Sequence, residues 1–589
     1  MTTFQVWAPR ASTVDLLIGD ACLPMHPTAG GWWRVEASEA GHGTDYAFRL
    51  DGGEPLPDPR SPWQPHGVHG PSRVVVHQNF AWTDTHWQAR SLSSAVIYEL
   101  HVGTFTPAGT FDAAIERLDH LVNLGITHVE LMPVNAFSGT RGWGYDGVDL
   151  YAPHHAYGGP AGLKRLVDAC HARGLAVLLD VVYNHLGPEG NYLGRFGPYF
   201  TDRYRTPWGQ AMNLDGPDSD EVRRFVCDNA LMWLRDYHCD GLRLDAVHAI
   251  LDTSAVHILE QLAIEAEALE AQLGRHLVLI AESDLNDPRL VQPRARGGYG
   301  IDAQWSDDFH HALHTVLTGE DAGYYADFGQ FADLATALRQ AFVYAGRYSV
   351  YRRRRHGRAP TDLSGHHFLG YLQTHDQIGN RATGERSSHL VRLGRLKIAA
   401  ALVLTAPFVP MLFQGEEWGA SSPFQYFTDH QDPALGQAVR EGRRQEFAAF
   451  GWVPEDIPDP QAPETFRRSQ LDWGELTQEP HASLLAWHRR LIALRRQVPA
   501  LGDGHMSHVR VHFDEAARWL VVARGPITVG CNLAEREQRI SLPAGQPSHL
   551  LLGSDPRIQV TPNGLELPPD TVAILGEDDR GREQIEGRG

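Results

Sequence analysis

The chain has 589 residues, with Lys+Arg 52 against Asp+Glu 72 and a formal charge of −20. That surplus opposes phosphate backbones and anionic membrane surfaces, so neither nucleic acid nor membrane is expected as a partner, and a neutral or cationic small molecule is favoured. Five scattered cysteines (Cys22, Cys170, Cys227, Cys239, Cys531) without a CxxC pair indicate neither a disulfide framework nor a zinc site, and no apolar run reaches ~18 residues or follows a basic leader, which together suggest the cytoplasm.

From Phe4 to about Val76, short runs such as FQVWAP, TVDLLI, GWWRVEA and TDYAFRL alternate with Gly, Pro and Asp clusters, which predicts a small antiparallel β-sandwich over 1–90. Trp7, Trp32 and Trp33 read as its core in preference to a sugar-binding face. The following DGGEPLPDPRSPWQPHGVHGPS is irregular chain crossing a surface.

Between 91 and 500 strand-like and helix-like segments alternate. A strand at 95–105 precedes a helical stretch from Phe111 to about Gly125, and THVELMPV (127–134) follows; helices at 162–174 and 221–238 lead into LAVLLDVVYNH and DGLRLD. HLVLIAE, GYGIDAQWSD (298–307), HHFLGYLQTHD and APFVPMLFQGEE complete eight strands, which predicts a (β/α)8 TIM barrel, an α/β fold. An open doubly wound sheet wants a Gly-rich phosphate loop after its first strand, and YELHVGTFTPAG has no GxGxxG. SHVRVHF, RWLVVARG, ITVGCNL and QRISLPAG then predict a C-terminal β-sandwich over 501–575, and the charged 576–589 reads as a disordered tail.

Four of the strand-like runs end in groups able to do chemistry: DVVYNH at His185, GLRLD at Asp245, IAE at Glu282 and QTHD at Asp376. Side chains at the C-terminal ends of barrel strands face the reaction site. Strand alternation places Arg243 on the face of Asp245, which keeps that carboxylate ionised as a nucleophile; Glu282, ending an apolar run among other acids, is expected to retain a proton as general acid. Asp376 is a third carboxylate for sugar hydroxyls, His185 and His375 are neutral donors, and Tyr145 or Trp143 can stack on a sugar face. Such a site requires no cofactor and no metal.

The motifs DVVYNH, GLRLDAVH, AESD and THDQIGN, in this order, closely resemble those of the α-amylase family of glycoside hydrolases. Position by position, the resemblance implies Asp245 as nucleophile, Glu282 as acid/base and Asp376 as transition-state stabiliser, with Arg243, His185 and His375 supporting them. The stretches YELHVGTFTPAGTF, NAFSGTRGWGYDGV, THDQIGNRATGER and FQGEEWGASSPFQYFTDH (413–430) narrow the likeness to members that cleave the α-1,4 bond beside a terminal trehalose. The expected partners are therefore maltooligosyltrehalose and α-glucan oligosaccharides. By the same likeness Asp307, Asp308, His310 and His311, with His248, Gln377, Asn380 and Arg381, line sugar subsites. A glycogen branching transferase, an α-1,6 debranching hydrolase and a catalytically silent barrel are the competing expectations.

Many amylases use the Asn of the DVVYNH-like motif for calcium, but a single candidate oxygen, on Asn184, falls short of the six to eight ligands Ca²⁺ takes. Arg352 to Arg355 read as a solvated basic run, and His154 and His155 as solvated loop.

Overall fold

Eight short apolar runs pair in parallel and close on themselves in a computed structural model of the chain, which describes residues 2–448, 453, 456–542, 547, 549–562 and 564–576. They are β1 (Ile97–Leu100), β2 (His128–Leu131), β3 (Ala176–Val181), β4 (Gly241–Leu244), β5 (Val278–Ala281), β6 (Ala303–Trp305), β7 (Phe368–Gly370) and β8 (Val409–Phe413). Every residue in them is buried, as parallel strands covered on both faces require.

Strand alternation then sorts the side chains. Leu178, Ile280, Trp305 and Met411 pack together in one apolar cluster of the barrel core. Two residues further along β3, β5 and β6, the same phase brings Asp180, Glu282 and Asp307 toward the C-terminal mouth. Asp180 and Arg243 are partners in the β3–β4 register, with Asp245 two residues beyond. Acids from distant segments meet because they share one phase of one closed sheet.

Crossover helices cover the outside, among them α1 (Gly159–Ala172), α2 (Ser219–Asp236), α3 (Ile258–Leu273) and α4 (Asp307–Thr318). The helix expected from Phe111 to Gly125 is broken into Phe111–Ile115 and Leu118–Leu124, ending at Gly125 with φ 101°, a left-handed cap that glycine adopts without strain. Between β5 and β6 the described helical turns are short, Pro288–Leu290 and Arg294–Arg296. The excursion between α4 and β7 carries α5 (Phe331–Gln340) and a two-stranded hairpin of Tyr348–Ser349 with Arg354–Arg355.

Antiparallel sheets flank the barrel. Thr2–Trp7 pairs with Trp32–Ala37, and Val14–Ile18 lies between Ala21–Pro24 and Asp45–Leu50. Trp7 and Trp33 are buried in this core, whereas Trp32 is half-buried beside the Arg60 guanidinium. At the other end a five-stranded sheet built on Trp519–Arg524 and Ile527–Asn532 stands with a three-stranded one. Of the expected tail, Gly576 closes the last strand and 577–589 lie outside the described residues.

The irregular segment after the N-terminal sheets is fastened to the barrel by a buried network. Asp84 is hydrogen-bonded to His171 Nδ1 at 2.8 Å and His238 Nδ1 at 2.7 Å, His171 Nε2 reaches Asp240 at 3.0 Å, and Trp87 donates to Asp240 while stacking on His171. Among the described residues no helix is long and apolar enough to cross a membrane.

Candidate active site

Arg243 has no exposed surface and organises the mouth of the barrel. Its Nη1 donates to Asp245 Oδ1 at 2.6 Å and to both Asp180 oxygens at 3.0 and 2.9 Å, while Nη2 lies 3.7 Å from Glu282 Oε2. Trp305 holds the guanidinium from one side, 4.3 Å from the ring centroid. The backbone N–H of Ala246, next to Asp245, donates to Glu282 Oε2 at 2.7 Å, so these two carboxyl groups share one neighbourhood.

Glu282 follows β5 directly, and burial pushes its pKa well above the carboxylate range against the pull of Arg243; Asp245, Asp376 and Asp307 push the same way. The expected elevation is found, and its main cause is desolvation. Asp376 sits in the first turn of α6 (His375–Gly379) with its side chain 41% exposed, open to a ligand where the side chain of Asp245 is only 11% exposed.

His375 departs from expectation. Burial works against its charge, but Glu99 and then Asp376 raise its pKa to about 9, so it is a cation at neutral pH and not the neutral donor the sequence suggested. Tyr145 stacks on it and donates from its hydroxyl to Asp180 at 2.6 Å. The turn that delivers Tyr145 needs Gly144, at φ +98°, where a Cβ would fall 2.2 Å from the Pro133 carbonyl oxygen. Trp143 is buried instead, donating to the Gln425 carbonyl and packing on Phe424.

His185 stacks on the half-exposed Trp208, ring centroids 4.5 Å apart, and burial lowers its pKa, which keeps it neutral. Asn184 donates to both the carbonyl and Oδ2 of Asp245 at 2.9 and 2.8 Å, and its oxygen is taken by His185 Nδ1. Both ends of this amide are committed within the site, a poor fit to a calcium ligand.

A cleft of about 320 Å³ opens on Glu282 and Asp376. His248, Asp307, His311, Gln377 and Asn380 line it. Asp307 accepts from Tyr371, and burial lifts its pKa to about 7. Asp308, His310 and Arg381 do not join them. Asp308 accepts from the backbone N–H groups of Val343 and Tyr344 and from Asn286; His310 spans the Leu372 carbonyl and the Tyr325 hydroxyl; Arg381 is held in a two-point ion pair by Glu320. Each of these contacts is to another part of the protein and not to the cleft.

The cleft also holds Asp284, Tyr324 and Tyr351, none of them among the expected site residues, and Arg352, expected to be solvated. Arg352 pairs with Asp284 at 2.8 Å, so the basic run is not uniformly solvated; Arg353, Arg354 and Arg355 are exposed, Arg352 is not. His154 is likewise fully buried, stacked on Phe137 with centroids 3.9 Å apart. Asp180, whose pKa burial raises to about 7, was legible as an acid inside VLLDVV in the phase that faces inward.

The family profile for the alpha amylase catalytic domain matches residues 77–205, and that of a domain of unknown function, DUF3459, matches 504–574. A malto-oligosyltrehalose trehalohydrolase from Rhizobium sp. (strain M-11) is 52% identical over 582 residues, 97% of each chain. A Salmonella typhimurium crystal structure whose alpha amylase assignment is provisional superposes with a TM-score of 0.90 at 39% identity, covering 98% of this chain and 97% of that one. A 1,4-alpha-glucan branching enzyme from Pseudoalteromonas atlantica is 31% identical but covers only 54% of this chain and 50% of its own. On likeness running almost end to end in both partners, the chain belongs to the malto-oligosyltrehalose trehalohydrolases of the α-amylase family of glycoside hydrolases.

Proposed function

We propose that the protein hydrolyses the α-1,4-glucosidic bond next to the terminal trehalose of maltooligosyltrehalose, with retention of configuration, releasing trehalose and a maltooligosaccharide. The observation that carries the chemistry is Arg243 reaching both Asp245 and Glu282, with Glu282 biased toward its protonated form. Asp245 attacks the anomeric carbon while Glu282 gives its proton to the departing trehalose oxygen, leaving a glycosyl ester on Asp245. The Glu282 carboxylate then takes a proton from water, whose oxygen attacks the same carbon and frees Asp245. Asp376, His375 and His185 hold the sugar hydroxyls, and no step calls for a cofactor. The end-to-end likeness to named trehalohydrolases supports trehalose as the leaving group over a branching transfer. The free thiols, four of five buried, support a reducing compartment such as the cytoplasm.

Product analysis tests this reading. Maltooligosyltrehalose is expected to yield trehalose much faster than the matching maltooligosaccharide yields glucose or maltose, and amylose should gain no α-1,6 branches. Equal cleavage of both oligosaccharides would remove trehalose from the assignment, and new branches would transfer it to the glucan transferases.

A further inference from the structure

His375 is enclosed by groups that fix its ring. Tyr145 stacks on it with centroids 5.1 Å apart, and Trp143 and Trp305 lie edge-on at 5.5 and 6.3 Å. Nδ1 makes a short hydrogen bond with Glu99 Oε1, the backbone N–H donates to Glu99 Oε2 at 3.2 Å, and both residues are 1% exposed. Nε2 faces the other way, 3.5 Å from Asp376 Oδ1.

Glu99 has few alternatives to this partner. Glu130 stands beside it in the β1–β2 register with neither carboxyl oxygen hydrogen-bonded, and burial, reinforced by Glu99, pushes the Glu130 pKa far up, so that carboxyl stays neutral. Arg243 spends its Nη1 on Asp180 and Asp245, and no hydrogen bond joins it to Glu99. A carboxylate buried at Glu99 finds its counter-charge in His375, and a buried charge without one is strongly disfavoured.

We propose that Glu99 is a positioning residue for the cleavage: by accepting from both the backbone and Nδ1 of His375, it holds that ring doubly protonated with Nε2–H beside Asp376, where a sugar hydroxyl receives it. The inference rests on the reading of the site as a glycosidase. A charged donor makes a hydrogen bond roughly twice as strong as a neutral one. Flanked by two carboxylates, it does so without adding net positive charge next to a glucosyl carbon that becomes electron-poor. Burial of the ring opposes its charge; Glu99, then Asp376, outweigh burial and carry it to about 9, with Arg243 working against them.

The test is calorimetric binding of maltotriosyltrehalose to Glu282→Gln, in which turnover is blocked, from pH 6 to 10, with and without Glu99→Gln. Asp180 and Asp307, lifted by burial to about 7 in the native protein, are present in both variants, so the comparison is read at pH 8 and above. With Glu99 present, affinity is expected to fall near pH 9; with Glu99→Gln the fall moves down by two pH units or more, leaving affinity at pH 8 at least ten-fold weaker. A loss of equal size at every pH, which a merely structural role would give, overturns the proposal. Should the double variant fail to fold, Glu282→Gln alone still decides, because affinity that does not change between pH 8 and 10 contradicts a titrating His375. The two failures are separable: wild-type turnover by Glu282→Gln strikes at the role of Glu282, an unmoved midpoint at that of Glu99.

Discussion

Asp180 and Arg243 stand side by side on β3 and β4, and a single guanidinium nitrogen serves both Asp180 oxygens and Asp245 together. Asp180 also holds the Tyr145 hydroxyl, so it fixes both the Arg243 guanidinium and the ring that stacks on His375. Asp180→Asn is expected to lower kcat by roughly 10- to 100-fold through misplacement of Arg243 and Tyr145, with the fold retained. It should also change the pH dependence of stability. Burial lifts the folded pKa to about 7, above the ~3.9 of an unfolded Asp, so the folded state holds the extra proton and stability drains as pH rises through that interval. The variant cannot ionise there. Its Tm should decline less than the wild type's between pH 5 and 8, and identical slopes would show that Asp180 does not titrate in this window.

Glu282→Gln keeps the shape of the proposed acid and removes its proton, whereas Asp245→Ala removes the nucleophile. Turnover of maltooligosyltrehalose should fall roughly 10²- to 10⁴-fold in the first and about 10³-fold or more in the second, with Tm near wild type in the first. Because Asp245 is an acceptor for Arg243 and Asn184, its loss frees two buried donors, and some destabilisation accompanies it. Near-normal turnover by either variant, measured as trehalose released, would reject the roles assigned here.

The barrel was legible because its strands are short, continuous apolar runs, and Asp245 and Glu282 because each directly follows one, whereas Asp376 lies further on, in the first turn of α6. Asp180 lies inside such a run, VLLDVV, whereas His185 stands at the end of the motif, where chemistry is expected. What sequence could not supply is contact between segments far apart. Glu99 meets His375 across 276 positions of chain, which no local pattern encodes, and that contact reverses the protonation expected of the histidine. Arg352 looked solvated because its three neighbours are; only the fold of the hairpin turns it alone toward Asp284. Asp308 looked like a ligand beside Asp307, yet successive residues of a helix point in different directions, and this one meets the backbone of Val343 and Tyr344.

Arg352 and Asp308 therefore make opposite predictions from similar sequence signals. Arg352→Ala opens the cleft wall and leaves Asp284 without its partner, so KM for maltooligosyltrehalose should rise about ten-fold, equivalent to about 1.4 kcal/mol, with kcat little changed. Asp308→Ala strips an acceptor from three buried donors and should cost about 1–3 kcal/mol of stability with KM nearly unchanged. Steady-state kinetics beside chemical denaturation separates them, and the reverse pattern would mean that Asp308 contacts substrate and Arg352 does not.

The network of Asp84, His171, His238 and Asp240 supplies a pH dependence with a definite sign. Burial alone would lower the His171 pKa, but its hydrogen bonds to Asp240 and Asp84 outweigh burial and raise it; burial alone would raise that of Asp84, but His171 and His238 hold it well below the carboxylate range. A histidine raised on folding contributes stability that is complete below its unfolded value, ~6.5, and is lost as pH rises through the folded one; an aspartate lowered on folding contributes above ~3.9 and loses its share as pH falls. The fastening of the linker to the barrel is thus strongest between about pH 4 and 6.5. His171→Asn removes the charged centre, and its loss of packing on Trp87 is the same at every pH. The Tm deficit of the variant should accordingly be larger at pH 5.5 than at pH 9 by at least about 2 °C, read by thermal scans at matched ionic strength. A deficit of equal size at both values would reduce the network to packing and leave its ion pairs without a share in holding the linker.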